Sequence, residues 1–375
     1  MALLDIDKYQ FVLLGISCIG TIVLIGYYLR FFTGFSKLSQ PKREQSTTPV
    51  TVIIAAKNKR ENLKENLPSI LSQDYPNFEV VVVNDGSYDG TKDYLKELAV
   101  QHSNLKIVTL EIDERFRKGK KFAITMGTKA ATNENLLFTD ADCKPMSNKW
   151  ISSMAPSFEN KDILLGYAPL KVRKTPLGSL ISFETFHTAL QYLGYAKNGQ
   201  TFMGVGRNLG YKKSLFFANK GFAKHQHILS GDDDLFIQQI ANKSNVATII
   251  NPDSFMLSDA PKGILAWIKQ KIRHLSTATE YKRSSKWLLG IYSLAHLTSY
   301  ISLIVFSALY PDYWILSLII ISFKWIVQWF IMFKPARLLN ANKIAFALPY
   351  YDLLYTVYLL LFAVLKPFLK PKTWS

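Results

Sequence analysis

Apolar residues in this chain are segregated, and that segregation limits the fold more than any other feature. Phe11 to Leu29 carries no charge and is followed by Arg30, Lys37, Lys42 and Arg43. A long stretch of mixed polarity comes next. Trp287 to Leu309 is again free of charge, Tyr313 to Phe333 holds only Lys324, and Ile344 to Leu365 holds Asp352 and Pro349. Each of the four is close to the roughly 20 residues that cross a bilayer core. The mean hydropathy of +0.07 is then the average of two unlike parts, a water-facing unit and a membrane unit.

The first segment lacks the marks of a cleaved leader. Asp5 and Asp7 stand where a basic head would be, and no clear small-residue cleavage site follows. An uncleaved anchor over residues 1–33 is expected, with a linker over 34–47. Basic residues flank the cytoplasmic side of membrane spans. That rule puts residues 34–286 in the cytoplasm and makes "YPDY" (310–313) a short outer turn. "KPARLLNANK" (334–343) then lies inside. The last segment conflicts with the rule, because a crossing would place Lys366, Lys370 and Lys372 outside. Pro349 and Asp352 also count against it, so a re-entrant or interfacial segment is an open alternative.

The stretch between the spans alternates strand and helix. "VTVIIAAKN" (50–58), "FEVVVVNDGS" (78–87), "LKIVTLE" (105–111) and "NLLFTDADC" (135–143) read as buried strands. Between them, 60–73, 90–101 and 120–131 carry apolar residues at helical spacing. Such alternation predicts an α/β layer around a largely parallel sheet. Ligands of these sheets sit at the carboxyl ends of the strands, where Asn58, Asn84, Asp85, Asp140 and Asp142 fall.

Asp140 and Asp142 are the sharpest signal. At i and i+2 near a strand end they share a face. Two converging carboxylates make a hard-oxygen site for Mg²⁺ or Mn²⁺; a solvated acidic turn is the simpler reading. "RKGKKFA" (117–123) supplies Lys118, Lys120 and Lys121 before a helix, either as a solvated basic face or as cations for an anionic group. "GVGRN" (204–208) is a poor dinucleotide fingerprint. "SGDDDLFIQQI" (230–240) stacks Asp232, Asp233 and Asp234 at a helix start, in a chain with 45 Lys and Arg against 28 Asp and Glu. The helix dipole accounts for one or two of the three acids. A third suggests a cleft in which one carboxylate serves as a general base.

"KGILAWIKQKIRHLS" (262–276) is amphipathic. Ile264, Leu265, Ile268, Ile272 and Leu275 form an apolar arc suited to lying on a membrane. Trp267, Gln270, Arg273 and His274 form the opposite arc, expected to face the water-facing unit. Two cysteines, Cys18 and Cys143, are too few for a structural zinc site. The net charge of +17 suits an anionic membrane surface and phosphates. No nucleic-acid motif is present, and nucleic acid is not an expected partner.

Taken in order, "VIIAAKN", "VVVVNDGSYDGT", "GKKFA", "FTDADC", "GDDDL" and "QKIRH" resemble the motifs of a family-2 glycosyltransferase of the GT-A fold, in its membrane-embedded branch. The resemblance covers about residues 48–286. It implies a Rossmann-like α/β nucleotide-diphospho-sugar transferase domain over 48–261, an interfacial helix over 262–286 and a membrane region over 287–375. It implies that Asp85 binds the nucleotide base, with Ala55 and Asn58 in the same pocket, and that Lys120 lies near the diphosphate. Asp140 and Asp142 resemble the D-x-D pair, with Asp142 the main metal ligand. Asp232, three before Leu235, resembles the Asp of the E-D-x-x-L motif and would be the general base, oriented by Asp233 and Asp234. Gln270, Arg273 and His274 resemble the Q-x-x-R-W motif.

Three positions depart from the pattern. Lys59 stands where many members have Glu, Gly231 where Glu precedes the catalytic Asp, and His274 where Trp stands. The resemblance implies metal-dependent, inverting transfer from a nucleotide-diphosphate sugar, with a UDP-sugar expected. The acceptor would be a lipid or lipid-linked glycan at the cytoplasmic face of a bacterial inner membrane. A processive polysaccharide synthase subunit and an inactive membrane scaffold are the alternatives.

Overall fold

The computed structural model describes residues 8–37, 46–111, 119–228 and 230–365. Lys118 and the terminal lysines Lys366, Lys370 and Lys372 lie outside these, as do Asp5, Asp7, Lys42 and Arg43. Among the described residues, ten strands form two sheets. They are β1 (Val50–Ala56), β2 (Phe78–Asp85), β3 (Leu105–Leu110), β4 (Asn135–Asp140), β5 (Cys143–Pro145), β6 (Ile163–Gly166), β7 (Leu170–Lys171), β8 (Leu209–Lys212), β9 (Val246–Ile249) and β10 (Met256–Asp259). The large sheet has the order β3-β2-β1-β4-β8-β6-β9, and β5-β10-β7 make the small one.

The four strands read from the sequence are all present, and they pair in parallel. The sheet is largely parallel, as expected, with β9 also parallel to β6; the exception is β8. β8 runs antiparallel to both β4 and β6.

The β-branched runs are buried on both faces. Ile53, Val81, Val83, Leu136 and Phe138 point into one core. Val52, Ile54, Val80, Val82 and Leu137 point into the other, with Leu63, Leu67, Ile70 and Leu95 of the covering helices. The period of two along each strand divides these residues between layers. In register, Ala55 lies level with Val83 and with Asp140, and Ala56 level with Asn84. The polar ends of β1, β2 and β4 are therefore gathered at one edge.

Among the described residues, four helices are long and apolar enough to cross a membrane: Lys8–Phe35, Arg283–Leu309, Pro311–Leu338 and Leu348–Leu365. The first lies against the second, and a Cβ at Gly20 would stand 2.8 Å from the Ala295 carbonyl. Small residues permit such close crossings. Ser17 Oγ donates to the Ser299 carbonyl at 3.1 Å, and Tyr27 Oη to that of Leu288 at 2.8 Å.

The features counted against the last segment are both accommodated. Pro349 sits in the first turn of the Leu348–Leu365 helix, where its missing N–H costs nothing. Asp352 is buried against Lys324 of the Pro311–Leu338 helix at 2.7 Å. The first core is continuous from the sheet into these helices through Phe31, Phe32, Tyr195, Tyr292 and Met332.

Candidate active site

The site forms where β1, β2 and β4 end. Asn58 leaves β1 with φ of 51°, a left-handed conformation that Asn tolerates better than most residues. Its N–H donates to Ser87 Oγ at 2.9 Å, and its Oδ1 accepts from the Tyr88 N–H at 3.0 Å. The loops after β1 and β2 are thereby stapled together. Asp85 is buried at the end of β2 and Ala55 is half-buried beside it on β1.

Lys120 opens the Lys120–Ala130 helix and reaches across the floor. Its Nζ lies 2.9 Å from Asp140 Oδ1 and 2.9 Å from Asp232 Oδ2. The acid at the end of β4 and the first acid of the trio are thus held on either side of one ammonium. Burial disfavours that charge, but Asp140, Asp232 and Asp233 outweigh it and hold the Lys120 amine well above its ordinary range. Burial likewise pushes the Asp140 carboxyl up, yet Lys120, Arg207 and Arg273 bring it below the ordinary range. The neighbouring Lys121 turns the other way, donating to the Ile228 carbonyl at 2.9 Å and tethering the segment before the trio.

The three aspartates have three different surroundings. Asp232 faces the cleft. Asp233 caps the Asp234–Ile240 helix, its Oδ1 accepting from the Asp234 N–H at 3.0 Å and its Oδ2 from the Gly206 N–H at 2.9 Å. Burial, with Asp232 and Asp234 beside it, pushes its carboxyl up to about 7. Asp234 accepts from the Leu235 N–H at 2.7 Å and from Tyr281 Oη at 2.8 Å, and also from Thr277 Oγ1. The trio is therefore not a shared acid cluster. Gly231 has φ of +95°, and a Cβ there would stand 2.6 Å from Leu235. The Glu that the motif would place at this position does not fit this backbone.

Asp140, Asp142 and Cys143 bring ligand atoms within 4.8 Å of one another. Burial and the acids beside it push the Cys143 thiol up to about 12, so it remains protonated. The donor set is then the two carboxylates, which suits a hard divalent cation. Lys59 lies 3.9 Å from Asp142 Oδ2, so the departure from the motif places a cation at the mouth of the acid pair.

Gln270, Arg273 and His274 lie on the Ile264–Thr277 helix, with Gln270 and Arg273 half-buried. His274 is exposed to solvent. Desolvation and the cations Lys271, Arg273, Arg207 and Lys120 hold its imidazole well below the ordinary range.

The expected arcs of this helix are corrected in several places: Ile268 and Leu275, assigned to the membrane side, pack inward, and His274, assigned to the inner arc, is exposed. Ile272, assigned to the membrane side, is buried with Ile181, Trp267 and Phe362, while Ile264 and Leu265 remain exposed. Lys271 turns inward to a buried ion pair with Glu184.

Two residues in the site were not singled out from sequence. Arg207, in the loop dismissed as a poor fingerprint, donates to Ser258 Oγ at 2.7 Å and acts on Asp140. Tyr88, 83% exposed, stands on the lip beside Asn58. Only the folded chain brings Arg207 to Asp140.

Comparison with known proteins agrees with this arrangement. Residues 51–217 match the model of glycosyl transferase family 2. A poly-β-1,6-N-acetyl-D-glucosamine synthase of Staphylococcus epidermidis is 34% identical over 29% of this chain and 25% of its own length. A 4,4′-diaponeurosporenoate glycosyltransferase of Staphylococcus haemolyticus is 25% identical over 58% of this chain and 57% of its own. The matches thus span about a quarter to somewhat over half of these relatives. A solved mannosyltransferase from Pyrobaculum calidifontis, in complex with GDP-mannose and Mn²⁺, superposes with a TM-score of 0.57. It is 21% identical, with 95% of this chain and 99% of that one covered, and so supports the fold. With the parallel strands, the gathered acids and the four apolar helices, the matched segment marks residues 51–217 as a family-2 glycosyltransferase segment within a GT-A fold.

Proposed function

We propose that the chain moves a sugar, with inversion, from a nucleotide-diphosphate sugar to a hydroxyl of a lipid or lipid-linked glycan at the cytoplasmic membrane face. The carrying observation is the Lys120 bridge, which sets Asp140 and Asp232 at 2.9 Å on either side of one cation. A donor-side acid and a base must flank the reacting carbon in this way.

Ala55, Asn58 and Asp85 line the base pocket, with a UDP-sugar the expected donor. Lys120 and Arg273 take the diphosphate oxygens, Arg273 by paired N–H bonds, and Gln270 and His274 lie on the same helix. Asp142 with Asp140 would hold Mg²⁺ or Mn²⁺, which when bound offsets the charge of the leaving diphosphate. Asp232 accepts the proton of the acceptor hydroxyl. That oxygen forms its bond to the anomeric carbon from the face opposite the diphosphate, whose bond breaks with the electron pair leaving on phosphate oxygen. As the donor enters, its phosphates compete for Lys120 and release Asp232 for proton uptake.

The apolar exposed face of the interfacial helix, Ile264 and Leu265, supports an acceptor presented by the membrane. The relative named for 4,4′-diaponeurosporenoate fits single addition to a lipid. The synthase relative favours the second reading, polymer extension.

The test is nucleoside diphosphate release by the full chain in native lipid, across nucleotide sugars with Mg²⁺ or Mn²⁺. Asp142→Asn and Asp232→Asn run alongside. Release that both substitutions abolish supports the proposal, and product mass separates single addition from a polymer. Release that persists in Asp232→Asn refutes the assignment of the base.

A further inference from the structure

Away from the cleft, a groove of about 490 Å³ lies along the seam between the first helix and the Arg283–Leu309 helix. Val23 and Gly26 form one wall, Leu288 and Ile291 the other. Arg30, Gln200 and Ser284 close one end. Arg30 ends the first apolar stretch and Ser284 begins the second, so the polar end is the one nearest the catalytic domain.

The Arg30 guanidinium is exposed and stands 5.5 Å from the Phe31 ring centroid. Among the described residues no carboxylate pairs with it. Arg283 and Lys286 are exposed at the start of the facing helix. An apolar trough ending at a cation without a counter-ion matches one chemistry: an acyl chain joined to an anionic phosphate headgroup. Guanidinium–phosphate bonds are charge-assisted and often bidentate, and basic residues at this level draw anionic lipid.

An acceptor lipid would need an open path to Asp232, and the groove has a wall instead. Tyr27 meets Tyr195 at 6.3 Å, Tyr195 meets Phe202 at 5.7 Å, and Phe202 meets Tyr281 at 6.1 Å between ring centroids. Tyr195, Phe202 and Tyr281 are buried, and Tyr281 bonds to Asp234. Solid core thus separates the groove from the catalytic loop, while joining the two mechanically. We propose that the groove holds an anionic phospholipid of the cytoplasmic leaflet, separate from the acceptor, with its phosphate on Arg30 and a chain against Gly26. The proposal rests on the membrane reading of the four helices.

The full chain is placed in phosphatidylcholine bilayers doped with phosphatidylglycerol, and lipids retained on the released protein are identified by native mass spectrometry. Wild type is expected to retain phosphatidylglycerol in preference to phosphatidylcholine. Arg30→Gln should weaken that retention roughly tenfold, about 1.4 kcal/mol. Gly26→Leu fills the trough, where an added Cβ meets nothing within 4 Å, and should displace the lipid without disturbing the helix. Measurable nucleoside diphosphate release in both variants reports that they are folded.

A membrane-bound wild type with no preference overturns the proposal, as do variants that retain phosphatidylglycerol as wild type does. Intact retention with a raised KM for the acceptor lipid also overturns it, making the groove the acceptor's path. Alkaline washing that frees the chain from membranes overturns the membrane reading together with the proposal.

Discussion

Two lysines in this chain sit against carboxylates, and they are surrounded in opposite ways. Lys324, on the third apolar helix, is fully buried. Its Nζ donates to Asp352 Oδ2 at 2.7 Å and lies 3.9 Å from the centre of the Tyr300 ring. Gln328 donates to the other Asp352 oxygen at 2.7 Å, Tyr300 Oη donates to Oδ2, and Trp325 donates to Tyr300 Oη at 2.8 Å. One cation meets one anion, and neighbouring donors complete the shell. Lys120 has a side chain 19% exposed and two carboxylates at equal distance, with Arg207 and Arg273 acting on one of them. Its surroundings hold both signs in excess of any single pair and open to the cleft. A closed cluster of this kind fixes how helices pack. An open one is arranged to exchange partners when a polyanion enters.

The largest expected effect is at the open cluster. Asp232→Asn should lower kcat by about 10²–10⁴, the usual worth of a general base. Donor affinity, read by calorimetry, should change little. If kcat survives, the base lies elsewhere and the contrast between the clusters weakens.

At the closed cluster the expected effect is on stability. Asp352→Ala leaves the Lys324 charge buried without a partner and should cost about 3–5 kcal/mol. Replacing both, Lys324→Met with Asp352→Leu, should restore most of that loss in a thermal melt in lipid. A double replacement as damaging as the single one would show the pair to have a role beyond packing.

Smaller effects are expected where the catalytic loop meets the interfacial helix. Thr277→Val removes one of two hydroxyls on buried Asp234 and should cost about 1–3 kcal/mol. With Asp232 less firmly placed, kcat should fall while KM for the donor holds.

The last expected effect is a change of slope. The Asp233 carboxyl is raised by burial and by its acid neighbours from 3.8 to about 7, so the folded chain binds its proton more tightly than the unfolded chain does. Stability attributable to it is present at acid pH and lost as pH rises through that window, at most about 1.4 kcal/mol per pH unit. Asp233→Asn retains an acceptor for the cap and should flatten the slope. An unchanged slope would place the titrating group elsewhere.

Much of this arrangement was legible in the residues. The β-branched runs determined the four parallel strands, because a strand buried on both faces has no room for polar side chains. The spacing of Asp140 and Asp142 singled out the pair, but they converge through a turn, since β4 ends at Asp140 and Asp142 lies between β4 and β5. Four charge-free or nearly charge-free runs determined which helices are apolar enough to cross a membrane.

Tertiary structure decided what depends on residues far apart in the chain. It gave the three adjacent aspartates separate partners: Lys120, the Gly206 loop, and the Thr277–Tyr281 segment. It buried Ile272 of the Ile264–Thr277 helix, beside the buried Lys271–Glu184 pair. It brought Arg207 to Asp140 through a return strand that no alternating pattern announces. It also turned Lys324 and Asp352, each unfavourable alone in an apolar run, into partners. Local patterns follow from backbone geometry and solvent, which act at every residue, whereas ion pairs depend on which distant segments the fold brings within a few ångströms.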